Sequence, residues 1–101
     1  MYITQGVFKM RKIEQQMKNA IHTQKRWALQ NTIVSPIDDV NVAVYLHGHE
    51  IAIVNTYNGF VMTNVDTLRR YPTNTTKSRL RALGVSVATR RGVTYLDGKA
   101  I

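Results

Sequence analysis

PTNTTKSRLRALGVSVATRRGVTYL, residues 72–96, carries the densest set of local folding signals in the chain. Pro72 biases Tyr71 away from α-helical geometry, and Thr75 or Thr76 can accept a hydrogen bond from a first-turn backbone N–H as N-cap. Gly84 stands where a left-handed C′ residue ends a helix. Between these signals Leu80 and Leu83, spaced i and i+3, form an inward stripe, and Lys77, Arg79 and Arg81 are expected on wet faces. A helix this short does not persist alone in water, so its leucines need a partner surface from elsewhere in the chain.

After Gly84, Val85, Val87 and Thr89 alternate with Ser86 and Ala88. Arg90-Arg91-Gly92 interrupts the pattern, and Val93 to Leu96 resume it, which predicts a β-hairpin with a basic tip. Asp66 to Arg70 supplies a short preceding helix with Asp66 as its cap. Helix, basic helix, basic-tipped hairpin is the order of a winged helix-turn-helix, in which a recognition helix enters a groove of DNA and the wing touches the backbone nearby.

Upstream, Phe8 to about Gln30 reads as one long helix. Met10, Ile13, Met17, Ala20, Ile21 and Ala28 mark its apolar face, and Arg11, Lys18 and Lys25, a heptad apart, mark a basic one. Asn31 to Asp39 reads as a connector. Three strand-like runs follow, around Val40–Leu46, Ile51–Val54 and Phe60–Thr63, joined at His47-Gly48-His49 and at Asn58-Gly59. Asn-Gly predicts a type I′ turn, since both of its central positions need positive φ. Within these runs Ile51 and Ile53 alternate with Ala52 and Val54, with Ile53's face expected in the core, Phe60 and Met62 alternate with Val61 and Thr63, and Tyr2 to Val7 reads as a lead-in strand. The fold class predicted is α+β in a single domain, 1–101: a long N-terminal helix, a three-stranded antiparallel meander, a short basic helix and a C-terminal hairpin, with a winged-helix-like C-terminal half.

A chain of 101 residues with 44% hydrophobic and 20% charged residues has enough apolar content for one modest core and not for two. It has no cysteine, which excludes disulfides, thiolate catalysis and Cys-ligated zinc. No apolar run approaches membrane-spanning length, and MYITQGVFKM lacks the order of a signal peptide, so a cytoplasmic location is expected. The formal charge is +8, and its placement matters more than its size. No Lys or Arg lies between Trp27 and Leu68, where Asp38, Asp39, Glu50 and Asp66 stand instead; the cations all flank this segment. Segregation of that kind favours a polyanion-facing surface built by both ends of the chain.

Sites for catalysis are few. His47, His49 and Glu50 lie close in sequence, but at a turn where polar residues are expected anyway, and no third-ligand cluster accompanies them. No nucleophile elbow, P-loop or dinucleotide fingerprint occurs. The chain is therefore expected to be no enzyme and to need neither metal nor cofactor. Thr76, Lys77, Ser78 and Arg79, at a helix start beside other cations, are expected to contact phosphate.

The runs YLHGHEIAIVNTYNGFVMTNV (45–65), YPTNTTKSRLRALG (71–84) and TRRGVTYLDG (89–98) resemble small accessory proteins encoded by tailed bacteriophages. The matching positions are Glu50-Ile51-Ala52, Thr75 to Arg79 and Val93 to Leu96. The resemblance implies a phage setting and a host-cell cytoplasm rather than an activity. The function expected from the residues is binding of nucleic acid, double-stranded DNA first, through Thr76, Lys77, Ser78, Arg79, Arg81, Arg90 and Arg91, with Arg11, Lys18 and Lys25 on the first helix. The alternative is a phage inhibitor that binds a host protein.

Overall fold

The computed structural model describes residues 10–101. The lead-in strand expected at Tyr2–Val7 lies outside the described residues. The element order is α1 (Lys12–His22), β1 (Trp27–Leu29), β2 (Thr32–Pro36), β3 (Asn41–Leu46), β4 (His49–Asn55), β5 (Val61–Thr63), α2 (Val65–Arg70), α3 (Asn74–Ala82), β6 (Val87–Arg90), β7 (Val93–Leu96) and β8 (Lys99–Ala100). The class is α+β as expected, but the first helix is short, and the meander has five strands in sequential order β1-β2-β3-β4-β5. The hairpin gains a third strand to make a separate small sheet, β6-β7-β8.

The first helix stops early because its C-terminus closes without glycine. Gln24 takes the left-handed C′ position with φ +54°. Its N–H donates to the Ile21 carbonyl at 3.0 Å, and Lys25 N–H donates to the Ala20 carbonyl at 2.9 Å, the two bonds of a Schellman ending. The Gln24 amide donates to Thr56 Oγ1 at 2.9 Å and to the Asp39 carbonyl, so contacts with the far end of the sheet hold a conformation that glutamine disfavours. Lys25 and Ala28 therefore leave the helical stripes in which their spacing placed them, and Ala28 becomes a strand residue.

Four hairpins are closed by two-residue turns in which both central residues have positive φ, the type I′ pattern: Gln30-Asn31, His47-Gly48, Arg91-Gly92 and Asp97-Gly98. Asn58-Gly59, the expected I′ pair, is not one of them. Among its two residues only Gly59 has positive φ, at +77°, and a longer loop is closed by Asn55 N–H on the Phe60 carbonyl at 2.8 Å. The Asn55 side chain caps that loop by accepting from Tyr57 and Asn58 N–H, which favours it over the tighter turn.

A bulge in β4 sets which side chains enter the core. Val44 pairs with Ala52 but Tyr45 pairs with Glu50, leaving Ile51 as the extra residue. Ile51 and Ala52 are consequently both buried, Val54 follows Ala52 inward, and Ile53 turns to the outer face opposite Ala43 and Met62. Ile53 was expected inside and is half-exposed; Phe60 and Met62 are exposed, while Val61 between them packs on the core. The inner face, with Val34, Val42, Val44 and Leu46, is covered by Met17, Ala20 and Ile21 of α1, Leu68 of α2, and Leu80 and Ala82 of α3. Leu80 is fully buried, a contribution of about 1.5–3 kcal/mol that stabilises a helix too short to stand alone.

Candidate nucleic-acid interface

The helix expected to meet phosphate is built into the core. Its N-cap is Thr73, not Thr75 or Thr76, with Thr73 Oγ1 accepting from Thr76 N–H at 3.1 Å. Gly84 ends it with φ +93°, as expected. Thr76, Lys77, Ser78 and Arg79 are all buried. Arg79 Nη1 donates to Glu14 Oε2 at 2.6 Å, Arg79 Nε to Thr32 Oγ1 at 3.1 Å, and Ser78 Oγ to the same Glu14 oxygen at 2.7 Å. Glu14 is wholly buried, and its other oxygen accepts Arg11 N–H at 3.2 Å, holding the first turn of α1. Burial alone pushes the Glu14 carboxyl up. Hydrogen bonds from Ser78, Arg79 and Arg11, with the Arg79 charge, outweigh it and hold the group below its ordinary value.

The solvated placement expected of Lys77 and Arg79 is therefore corrected. Both side chains point inward because the fold brings them partners: Glu14 and Thr32 for Arg79, and Thr89 Oγ1 for the Lys77 ammonium. Thr76 shares a hydrogen bond with Thr73 at 3.0 Å. Arg81 is half-buried and donates from Nε to the Val87 carbonyl at 2.8 Å, tying α3 to the hairpin. With Lys77 and Arg79 turned inward and Arg81 bonded to the hairpin, the helix lacks the free basic face that a groove-reading helix needs. The preceding helix, α2, is capped by Asn64, whose side chain accepts from Thr67 N–H at 3.1 Å, rather than by Asp66.

The remaining cations stay outside. Arg11, Lys18 and Lys25 are exposed, though only Lys18 lies within α1: Arg11 is its N-cap and Lys25 follows its end. Arg90 and Arg91 are exposed at the β6–β7 tip, with the Arg90 guanidinium 5.7 Å from the centre of the Tyr95 ring. The structure adds a pair that sequence reasoning treated only as part of a helix. Arg69 and Pro72 share a cleft of about 420 Å³ with Gly92, Val93, Thr94 and Ile101, so the end of α2 meets the hairpin tip. Arg69 carries only an exposed ion pair to Asp66 at 3.6 Å, of little energetic weight. The doubled arginine at 69–70 was visible in the sequence; its approach to Gly92 was not.

A family model for the Kyanoviridae Gp96 protein matches residues 10–101. The chain belongs to this family. Kyanoviridae Gp96 is a phage protein family, which agrees with the resemblance to phage accessory proteins. No curated protein and no solved structure matches the chain. In this Kyanoviridae Gp96 protein, His47 stands in an exposed turn at φ +53°, and the His49 ring stacks on Tyr71 with centroids 4.4 Å apart. Glu50 pairs with Tyr45 on the outer face of the sheet, 3.5 Å from Asn64 Nδ2, and does not converge with the imidazoles. Among the described residues no group of three or more His, Cys, Asp or Glu could hold a metal ion, and no helix is long and apolar enough to cross a membrane.

Proposed function

We propose that the chain binds nucleic acid, double-stranded DNA first, through the cleft between the end of α2 and the β6–β7 tip. The observation that carries this is the shared lining of that cleft by Arg69 and Gly92, each the chain neighbour of a further exposed arginine, Arg70 and Arg91. Phosphate binding needs exposed cations; Arg69, Arg70, Arg90 and Arg91 are exposed, and the one carboxylate contact among them, Arg69 to Asp66, is a solvent-exposed pair of little energetic weight. The five-stranded sheet contributes no Lys or Arg, so a polyanion is favoured at the helices and hairpin over the sheet. Arg11, Lys18 and Lys25 are exposed as well.

The second reading, attachment to a host protein, draws on other residues. Ile37, Tyr57, Phe60 and Met62 are exposed large apolar side chains near or on the sheet, without neighbouring cations in sequence.

Titration of a short DNA duplex at several salt concentrations tests the first reading. Arg90→Ala with Arg91→Ala, and separately Arg69→Ala with Arg70→Ala, should each weaken binding and flatten the log–log salt slope by roughly 0.9 per lost phosphate contact. Arg11→Ala with Lys18→Ala measures whether α1 shares the surface. Unchanged affinity and slope in both arginine-pair variants would remove the nucleic-acid reading and leave the host-protein one.

A further inference from the structure

The link between α2 and α3 separates two cavities. Arg69 and Pro72 line the basic cleft, whereas Tyr71 and Thr73 line a cavity of about 330 Å³ elsewhere on the link. Leu46 and Ile51, both buried, close the deep end of this second cavity. Its aromatic wall is the stacked pair His49 and Tyr71, and Tyr71 is 40% exposed, a large ring left at the surface rather than folded away. Hydrogen-bonding groups come from the Thr75 hydroxyl and the His47 imidazole, the Thr73 hydroxyl being engaged with Thr76 as the helix cap.

The lining selects a class of ligand. It contains neither a carboxylate nor a Lys or Arg, so it offers no fixed charge to hold an ion. An apolar floor, an aromatic wall and a rim of donors and acceptors suit a flat, neutral heteroaromatic ring with polar edges, which can stack and be hydrogen-bonded at once. The volume falls at the small end of the range, roughly 300–1,000 Å³, that small-molecule sites occupy. Nearness along the chain to the basic cleft narrows the class further, although the two cavities share no lining residue. Across residues 69–73 the backbone passes from an arginine beside one cavity to a tyrosine beside the other, the order in which a nucleotide presents phosphate and base.

We propose that this cavity is a nucleobase site, taking the base of an unpaired nucleotide whose backbone runs beside Arg69. The proposal rests on the nucleic-acid reading for its polymer and extends it, because a blunt duplex offers no free base. The base can come from a strand or from a free nucleoside, and the two are separated by experiment.

Anisotropy titrations compare a short blunt duplex with the same duplex carrying a single-stranded overhang. The parent should favour the overhang, and Tyr71→Ala should abolish that preference, a loss of roughly tenfold from one stacking contact, while leaving blunt-duplex affinity in place. Tyr71→Phe should retain the preference, and thermal denaturation of each variant reports on the fold. Equal affinity of the parent for both duplexes, or a Tyr71→Ala loss shared equally by both, overturns the base site while sparing the basic cleft. If neither duplex binds, the function proposed above fails, and NMR titration with adenosine and thymidine decides the cavity alone. Tyr71-dependent shifts at Leu46, Ile51 and Thr73 would then support a free-nucleoside site, and no shifts would overturn it.

Discussion

Arg79 and Arg91 come from one basic stretch of sequence and end in opposite environments. Arg79 is 3% exposed, with its guanidinium bonded to Glu14 and Thr32 between α1, α3 and the sheet. Arg91 is exposed at a type I′ turn, and among the described residues it makes no ion pair. The difference teaches that a basic residue reports on the surface only when no distant carboxylate is folded against it. Glu14 is the sole acidic residue before Asp38, and the fold spends it on Arg79.

The comparison breaks most visibly on stability. Arg79→Ala leaves Glu14 buried without its counter-charge and should cost about 3–5 kcal/mol in urea denaturation, whereas Arg91→Ala should stay within about 0.5 kcal/mol. Removing both partners with apolar replacements, Glu14→Leu and Arg79→Met, should recover much of the loss. Similar losses for Arg79→Ala and Arg91→Ala would mean that the two arginines differ less than their surroundings imply.

Acid should sharpen the same contrast more gently. The folded Glu14 carboxyl lies below its ordinary value of 4.5, so its contribution is complete above the unfolded value and fades as pH falls through the lower folded one. Stability of the parent should therefore decline below about pH 4.5, and the Arg91→Ala variant should follow the same curve. Glu14→Gln should be less stable at neutral pH and show a shallower decline in the acid window. Denaturation midpoints across that window read the difference.

The smallest effect concerns a carboxylate placed where water can answer it. Ile53 lies on the outer face of the sheet, opposite Ala43 and Met62. Ile53→Asp should therefore keep a cooperative thermal transition and cost about 1 kcal/mol, far less than an unpaired carboxylate would cost at the Glu14 position. Loss of the transition in Ile53→Asp would show that this face is buried in solution.

Much of the local architecture was legible. Gly84 ending α3, the Arg90–Val93 hairpin and the His47-Gly48 connection follow from short-range backbone chemistry: left-handed residues, alternation and turn preference act within a few residues. Apolar spacing also picked out Met17, Ala20 and Ile21 as the buried face of α1. Errors arose where a distant partner overrode the local signal. Gln24 ends α1 with support from Thr56, and the Ile51 bulge keeps Ile51 inside while turning Ile53 to the outer face.

The sequence by itself determined the α+β class, the turns at His47-Gly48 and Arg91-Gly92 and the segregation of charge into two flanks, because each depends on residue type and near-neighbour spacing. Only the tertiary structure decided which cations remain available. It placed Glu14 against Arg79 and Thr89 against Lys77, and set Arg69 beside the Gly92 turn. Whether a charge is solvated or buried depends on the counter-group that folding brings to it, and that group lies far away in the chain.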